Sequence, residues 1–586
     1  MKTRGSRSRR AREGFSSISS PGITASGTNA PGISARARCL AHVAGAVVIL
    51  MVSTGCRAQE PRRSADLLLH NGKIVTVDDD FSIAEAVAVR GDRIVAVGGD
   101  ELADSFAATT VIDLGGRTVV PSFNDTHIHV RGNPPWSIDL TGSRSIAQIQ
   151  EQIRAMVATL EEGHWITGYG WSEDQLAEGR RPLRGDLDEA APNNPVILTR
   201  AGGHSAVANS RALELAGVTR DTPDPEGGVI ERDPSGELNG VIRERQGIVS
   251  RLAPDATADD LRPSFVANLR GLLDLGITSI IQAGVSINGY DEWRRVYAEH
   301  GDELPRATVQ IRWAGEERMR EFGMITGDGD ERLRIGAIKV LVDGGFTGPA
   351  AYTLEPYKGE TEYRGTLNLS EEELGDLVNA AHAMGWQLGF HAIGDAAIVL
   401  AVDAFAEALA AAPRPDHRHY LNHFTVMPPP ETMELMAELG IHIAQQPNFT
   451  YTLEGRYAAN LDGERLAHNN PLRTPMDHGV FVALGSDILP IGPMVGLYAA
   501  VTRKGMSGEV YGAEEALTIE EAIRGYTRNG AFLAFEEATK GTIEPGMLAD
   551  MVVLSDDLLT IDPERILDVE VEMTILGGRI VVDRLR

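Results

Sequence analysis

The chain has 586 residues, 42% hydrophobic and 24% charged, close to the globular average, which excludes a chain disordered throughout. A formal charge of −28, from 55 basic and 83 acidic residues, leaves nothing broad to neutralise a phosphate backbone, so no nucleic-acid partner is expected. Two cysteines, Cys39 and Cys56, exclude a disulfide scaffold and any Cys-rich zinc site.

Residues 1–56 differ from everything after them. Basic side chains run from Lys2 to Arg12 and recur at Arg36 and Arg38, against Glu13 alone. An apolar run then extends from Leu40 to Val52, too short to span a bilayer, which needs about 20 residues. Ser53-Thr54-Gly55 and Cys56 follow, so the segment reads as an export signal. It resembles a bacterial lipobox, but Ser53 occupies the place where a branched aliphatic residue is usual. Three readings stay open: lipidation at Cys56, cleavage without a lipid, and an uncleaved anchor or mis-assigned start. An exported protein, periplasmic or at the cell surface and lipid-anchored at Cys56 under the first reading, is the expectation.

Residues 57–120 carry short strands at Ala65–Leu69, Lys73–Val77, Ala86–Val89 and Arg93–Val97. The pairs Asn71-Gly72, Gly91-Asp92 and Gly577-Gly578 each precede a basic residue and an Ile-Val pair, and the Asn-Gly and Gly-Gly pairs predict hairpins. A composite β-sandwich built from residues 57–120 and 536–586 is the inference. Between them, eight apolar runs read as buried strands: Thr118–Val120, Ile277–Ile281, Thr308–Ile311, Ile335–Val342, Gln387–Phe390, Tyr420–Leu421, Ile441–Ala444 and Phe481–Leu484. Helical patterns such as Glu371–Met384 and Ala396–Ala412 separate several of them, which implies a parallel sheet. Eight strands make the fold class α/β, a (β/α)8 TIM barrel over residues 121–535. The stretch 131–276 is too long for one strand–helix unit and must be an insertion with structure of its own. Turns at Asp224–Gly228 and Asp233–Gly236 suggest hairpins within it, and the aromatic, Gly-rich Trp165–Trp171 reads as core, with a pocket lining as the alternative.

The chemistry concentrates at strand ends. His127 and His129 follow the first apolar run, and two residues apart on a strand they share one face. His391, His423 and Asp487 each follow a later run. Neutral imidazoles and a carboxylate suit zinc, and the carboxyl ends of barrel strands are where catalytic groups sit. Lys339 lies inside an apolar run, where an ammonium is costly unless neutralised or paired. Carbamylation, or a salt bridge to Asp343 or another acid, would each answer that cost.

With these motifs in view, the chain resembles the amidohydrolase superfamily. The narrower likeness is to the amidohydrolase-3 branch of YtcJ-like proteins and N-substituted formamide deformylases, over about residues 65–582. The likeness is carried by Ala65–Gly72, His127-Ile128-His129, Gly203–Ser210, His391–Asp395, Gly485-Ser486-Asp487 and Gly541–Asp550. It implies a divalent-metal centre, zinc for preference, with one or two ions. His127, His129 and Asp487 would hold the more buried ion, His391 and His423 the second, and a carbamylated Lys339 would bridge them. Asp487 would also be the catalytic proton carrier. His204, in Gly203-His204-Ser205, would contact substrate or oxyanion, or make a structural hydrogen bond. Three places depart from the branch: Asn422 and Gln282, where an acid is usual, and Gly202, where Asp is common. The implied activity is hydrolysis of a non-peptide C–N bond, amide or N-formyl, in a small molecule. Cyclic-amide opening or deamination on the same site, and a tethered binding protein with an inactive site, are the competing readings. A homo-oligomer is also expected.

Overall fold

The computed structural model describes residues 62–585 except Gly202, His204, Thr347 and Leu489. The expected export segment with Cys39 and Cys56, and the candidate His204, therefore lie outside the described residues. Among the described residues no helix is long and apolar enough to cross a membrane.

Residues 63–121 and 551–583, far apart in the sequence, build two sheets that pack on each other. One has four strands, with Arg63–His70 between Ala86–Arg90 and Phe106–Asp113 and with Arg93–Gly98 at the edge. The other has six, running Arg579–Asp583, Val571–Leu576, Met551–Leu554, Thr118–Pro121, Lys73–Val75 and Ile83–Ala84. Leu67, Leu69, Val87 and Val89 of the first pack with Ile74, Val119, Val553 and Ile575 of the second in one apolar core. Gly91-Asp92 and Gly577-Gly578 close two-residue hairpins between registered neighbours, Arg90 with Arg93 and Leu576 with Arg579. Gly577 and Gly578 have φ of 54° and 72°, the conformation such turns require. Asn71-Gly72 makes no hairpin. It carries the chain from one sheet to the other, because the strands on either side of it belong to different sheets.

The barrel has eight parallel strands: Phe123–Ile128, Ile277–Val285, Arg306–Arg312, Leu333–Leu341, Leu388–Ala392, Tyr420–His423, His442–Gln445 and Val482–Leu484. The first corrects the sequence reading. Thr118–Val120 is a buried strand, but it pairs antiparallel with Met551–Leu554 in the sandwich, and the chain enters the barrel only at Phe123. An apolar run specifies burial; its partner lies some 430 residues downstream. Within the barrel, Ile281, Ala337, Tyr420, Ala444 and Ala483 fill the interior. Gly389 is required there, since a Cβ would come within 2.5 Å of the Tyr420 ring.

The insertion folds as a six-stranded mixed sheet, with Ser137–Asp139, Ile166–Trp171 and Val196–Arg200 parallel and Ser205–Ala208, Leu238–Arg243 and Val229–Arg232 antiparallel. Trp171 is fully buried in its core beside Ile149, Leu187 and Leu198. Asp233–Gly236 turns a hairpin as expected, whereas Asp224–Gly228 is a loop leading into it. The last helix of the stretch, Ala258–Gly271, packs Phe265 and Leu269 into the barrel core, so the independent structure ends before it.

Candidate metal centre at the carboxyl end of the barrel

Strand alternation sends every second side chain into the barrel, and the last inward position of several strands falls at the same level. Five of the sequence-predicted groups meet there. The His127 ring centroid lies 5.4 Å from that of His129 and 4.7 Å from that of His423, and His423 lies 4.4 Å from His391. His129 Nε2 is 3.6 Å from Asp487 Oδ1. One donor atom each from His127, His423 and Asp487 lie within 4.8 Å of one another. This tightest grouping crosses the two ligand sets implied by the resemblance, pairing His423 with His127 and Asp487.

The site also closes the barrel. The Asp487 N–H donates to His127 O at 2.6 Å, and Ile128 bridges Asp487 in parallel, so the first and eighth strands join through candidate ligands. Below them the Asp125 carboxylate accepts from the N–H groups of Ser486 and His127 at 3.0 and 3.2 Å. Gly485 must be glycine, because a Cβ would sit 2.7 Å from His127 N and 2.8 Å from Asp125 Oδ1. His423, Phe424 and Asp487 have φ of 78°, 50° and 60°. Non-glycine residues in the left-handed region cost about 1–3 kcal/mol each and cluster at functional sites.

The imidazoles are oriented from behind. His127 Nδ1–H donates to Asn422 Oδ1 at 2.6 Å, and His423 Nδ1–H donates to Gln446 Oε1 at 2.7 Å. Both hydrogen bonds leave Nε2 as the free lone pair, the tautomer a ligating imidazole needs. Asn422 and Gln282 stood out in the sequence only as departures from acids, and each has a structural role. Gln282 accepts from Val130 N–H at 2.8 Å and pins the chain just after His129.

Burial is the main force on charge here. It holds His127 and His423 well below the ordinary histidine pKa, His129 at about 4 and His391 at about 3, with the Lys339 cation adding to each shift. All four rings are therefore neutral donors at neutral pH. Burial also lowers Lys339, with nearby Asp487 opposing and Arg312 assisting, and raises Asp487, with Lys339 opposing. Lys339 is buried, and its Nζ lies 3.4 Å from His127 Nε2. The expected alternative of a Lys339–Asp343 salt bridge is not what forms. Asp343 instead accepts from the N–H groups of Ile393, Gly394 and Tyr352 at 2.8–3.0 Å, tying down the loops after two barrel strands.

The donor chemistry fits a divalent ion. Neutral imidazoles and a carboxylate converge, two imidazoles are backed by amides, and Lys339 lacks any described ion pair. Above the cluster a cavity of about 340 Å³ opens, lined by His129, Lys339, His391, His423 and Asp487 together with Arg312, Phe346, Phe449 and Tyr457. Asp125, Arg312 and Gln446 were not singled out in the sequence, whereas Asp343, Asn422 and Gln282 were named there without these roles. Asp125, inside the Asn124-Asp125-Thr126-His127 segment, lay next to a motif.

Residues 110–582 match the family model described as amidohydrolase family. The chain is 30% identical over 531 residues to the putative amidohydrolase YtcJ of Bacillus subtilis, covering 88% of this chain and 99% of that one. It is 31% identical over 546 residues to the N-substituted formamide deformylase of Arthrobacter pascens, covering 89% and 98%. Among solved structures, an uncharacterized metal-dependent hydrolase of Pyrococcus furiosus superposes with a TM-score of 0.65 at 26% identity, covering 84% of this chain and 100% of that one. The related protein of Pyrococcus horikoshii shares the fold, with a TM-score of 0.66 at 23% identity over 85% and 99%. On its fold, its strand-end histidines and these matches, the chain belongs to amidohydrolase family 3, metal-dependent hydrolases of carbon–nitrogen bonds other than peptide bonds.

Proposed function

We propose that this protein hydrolyses an amide or N-formyl bond of a small molecule at the carboxyl end of its barrel. The observation that carries the reading is the convergence of four neutral imidazoles and Asp487 around Lys339, at the floor of a cavity of ligand size. His127, His129, His391, His423 and Asp487 would hold one or two divalent ions, zinc for preference, with a carbamylated Lys339 between two. When bound, such an ion acts as a Lewis acid on a carbonyl and brings the pKa of water toward neutrality.

The chain's own groups account for the rest. Asp487 stands at the floor of the cavity with Oδ1 turned toward His129, placed to take the proton of an attacking water and return it to the leaving nitrogen. The raised pKa that burial gives its carboxyl suits a group that must first accept and then donate. The Asn422 and Gln446 amides keep His127 and His423 from rotating as charge develops. Burial favours the neutral Lys339 amine, the form that adds CO2 to give a carbamate.

The test is a panel of N-formyl and N-acyl amines with purified protein, stripped by chelator and reloaded with zinc, manganese or iron. Turnover that disappears with the metal and returns with it is expected. A fully metal-loaded protein inert on the whole panel would overturn the amide assignment. Export with lipidation at Cys56 belongs to the same proposal. Mass analysis of membrane-associated protein should find acyl chains on Cys56 and none on a C56S variant.

A further inference from the structure

The third barrel strand ends on a cation for which the proposed chemistry gives no task. Alternation along Arg306–Arg312 places Thr308, Gln310 and Arg312 on one face. Gln310 is fully buried and donates to the Tyr420 hydroxyl at 2.7 Å inside the barrel, so that face is the interior one. Arg312 is the next inward residue, at the mouth. It is in register with Lys339 on the fourth strand and lines the same cavity. Unlike Lys339 it is exposed.

Arg312 has no described carboxylate within ion-pair distance, in a chain whose acidic residues outnumber the basic by 83 to 55. Space is kept for it. Gly284, at φ +84°, sits where a Cβ would come 3.3 Å from Arg312 Nε and 3.0 Å from Lys339 Cγ. Another part of the cavity is apolar. Phe346, Phe449 and Tyr457 are buried, the Phe346 and Tyr457 rings meet edge to face at 5.6 Å, and Leu341 and Ile488 are 45% and 47% exposed at the rim. The cavity thus offers a planar, permanently charged fork and an aromatic wall around the same floor.

Resting on the amidohydrolase reading, we infer that the substrate is an N-acyl or N-formyl compound bearing a carboxylate and an apolar group, with Arg312 as the residue that recognises the carboxylate. The guanidinium binds the two carboxylate oxygens through paired N–H donors, and the aromatic wall takes the apolar group. The scissile C–N bond is thereby held over the ligand cluster. Water then adds across that bond, its hydroxyl to the acyl carbon and a proton to the nitrogen. The products are a carboxylic acid and an amino acid, with no redox partner needed.

The experiment uses matched pairs, N-formyl- and N-acetylphenylalanine against their carboxamides, with wild type, R312Q and R312K. The wild type should favour the carboxylate over its carboxamide by about 10- to 100-fold in kcat/KM, chiefly through KM, the range of a charge-assisted hydrogen bond. R312Q should erase most of that preference and R312K restore part of it. Equal treatment of both partners by the wild type, or an unchanged preference in R312Q, would overturn the assignment. If the metal-loaded wild type cleaves none of the compounds, the amide reading fails, and calorimetric binding of N-acetylphenylalanine to the metal-free protein still judges Arg312. Binding lost in R312Q supports it, whereas no binding, or equal binding of the carboxamide, overturns it.

Discussion

The two ends of the barrel bury charge in opposite ways. At the amino end, Arg306 pairs with Asp550 at 2.8 Å with both side chains almost wholly buried, and Asp550 also accepts from Gly577 N–H at 2.6 Å. Lys540 and Glu536 form a second buried pair at 2.6 Å, with Thr308 donating to Glu536. Both of these cations have a counter-ion, and Arg306–Asp550 fastens a barrel strand to the sandwich. At the carboxyl end, Lys339 has no described ion pair, Asp125 Oδ2 and Asn422 Nδ2 have no described hydrogen-bond partner, and three residues hold left-handed backbone. Arg306 and Lys540 are each held by a buried counter-ion, which serves cohesion, whereas Lys339 is left without one where the candidate ligands converge.

That contrast predicts opposite outcomes for charge removal. The largest effect should come from D487N, with kcat reduced about 10²- to 10⁴-fold, the range of a lost general acid–base, while most bound metal stays. Retained turnover would remove Asp487 from its proposed role. Next, R306M should leave Asp550 buried and unpaired and cost about 3–5 kcal/mol of stability, with activity per folded molecule kept. K339M should do the reverse, abolishing turnover while leaving the metal-free protein as stable or more so. If both variants destabilise alike, the difference between the two ends is not real. Thermal melts of the metal-free proteins, beside turnover of the loaded ones, decide this.

A smaller effect is expected from N422A, which leaves every ligand in place and frees the His127 ring. Metal affinity should fall about 10- to 100-fold, measured by competition with a chelator. Smaller still is a pH effect at the amino end. His382, His419 and His417 form a neutral chain: His419 Nε2–H donates to His382 Nδ1 at 2.9 Å, His382 Nε2–H to Ala412 O, and His417 Nε2–H to Leu439 O. Burial holds all three below the ordinary histidine value. Their contribution is therefore complete above pH about 6.5 and declines as pH falls toward the lowered values. Denaturant melts should find H419Q less stable than wild type at pH 7.5, with the gap narrowing by pH 5.

These contrasts also explain what could be read in advance. Lys339 was legible because an ammonium within an apolar run is a local contradiction, and the histidines because they follow apolar runs, His127 and His129 sharing one. Thr118–Val120 was misplaced because hydrophobicity gives burial, whereas its sheet is chosen by Met551–Leu554 at the far end of the chain. Asn71-Gly72 has turn chemistry but joins two sheets, which local sequence does not encode. Asn422, Gln446 and Asp343 act only through residues distant in the chain or through loop amides, so nothing near them in sequence announced their partners. Arg312 looked like any other arginine until its strand register set it beside Lys339.

The most direct test is the metal content of the purified protein and its ligand variants, by elemental analysis after dialysis against trace metal. The wild type should carry one or two equivalents of a divalent transition metal, and H127A and H423A should each lose most of it while remaining folded. A wild-type protein that binds none after reloading, or variants that retain the full complement, would contradict the account.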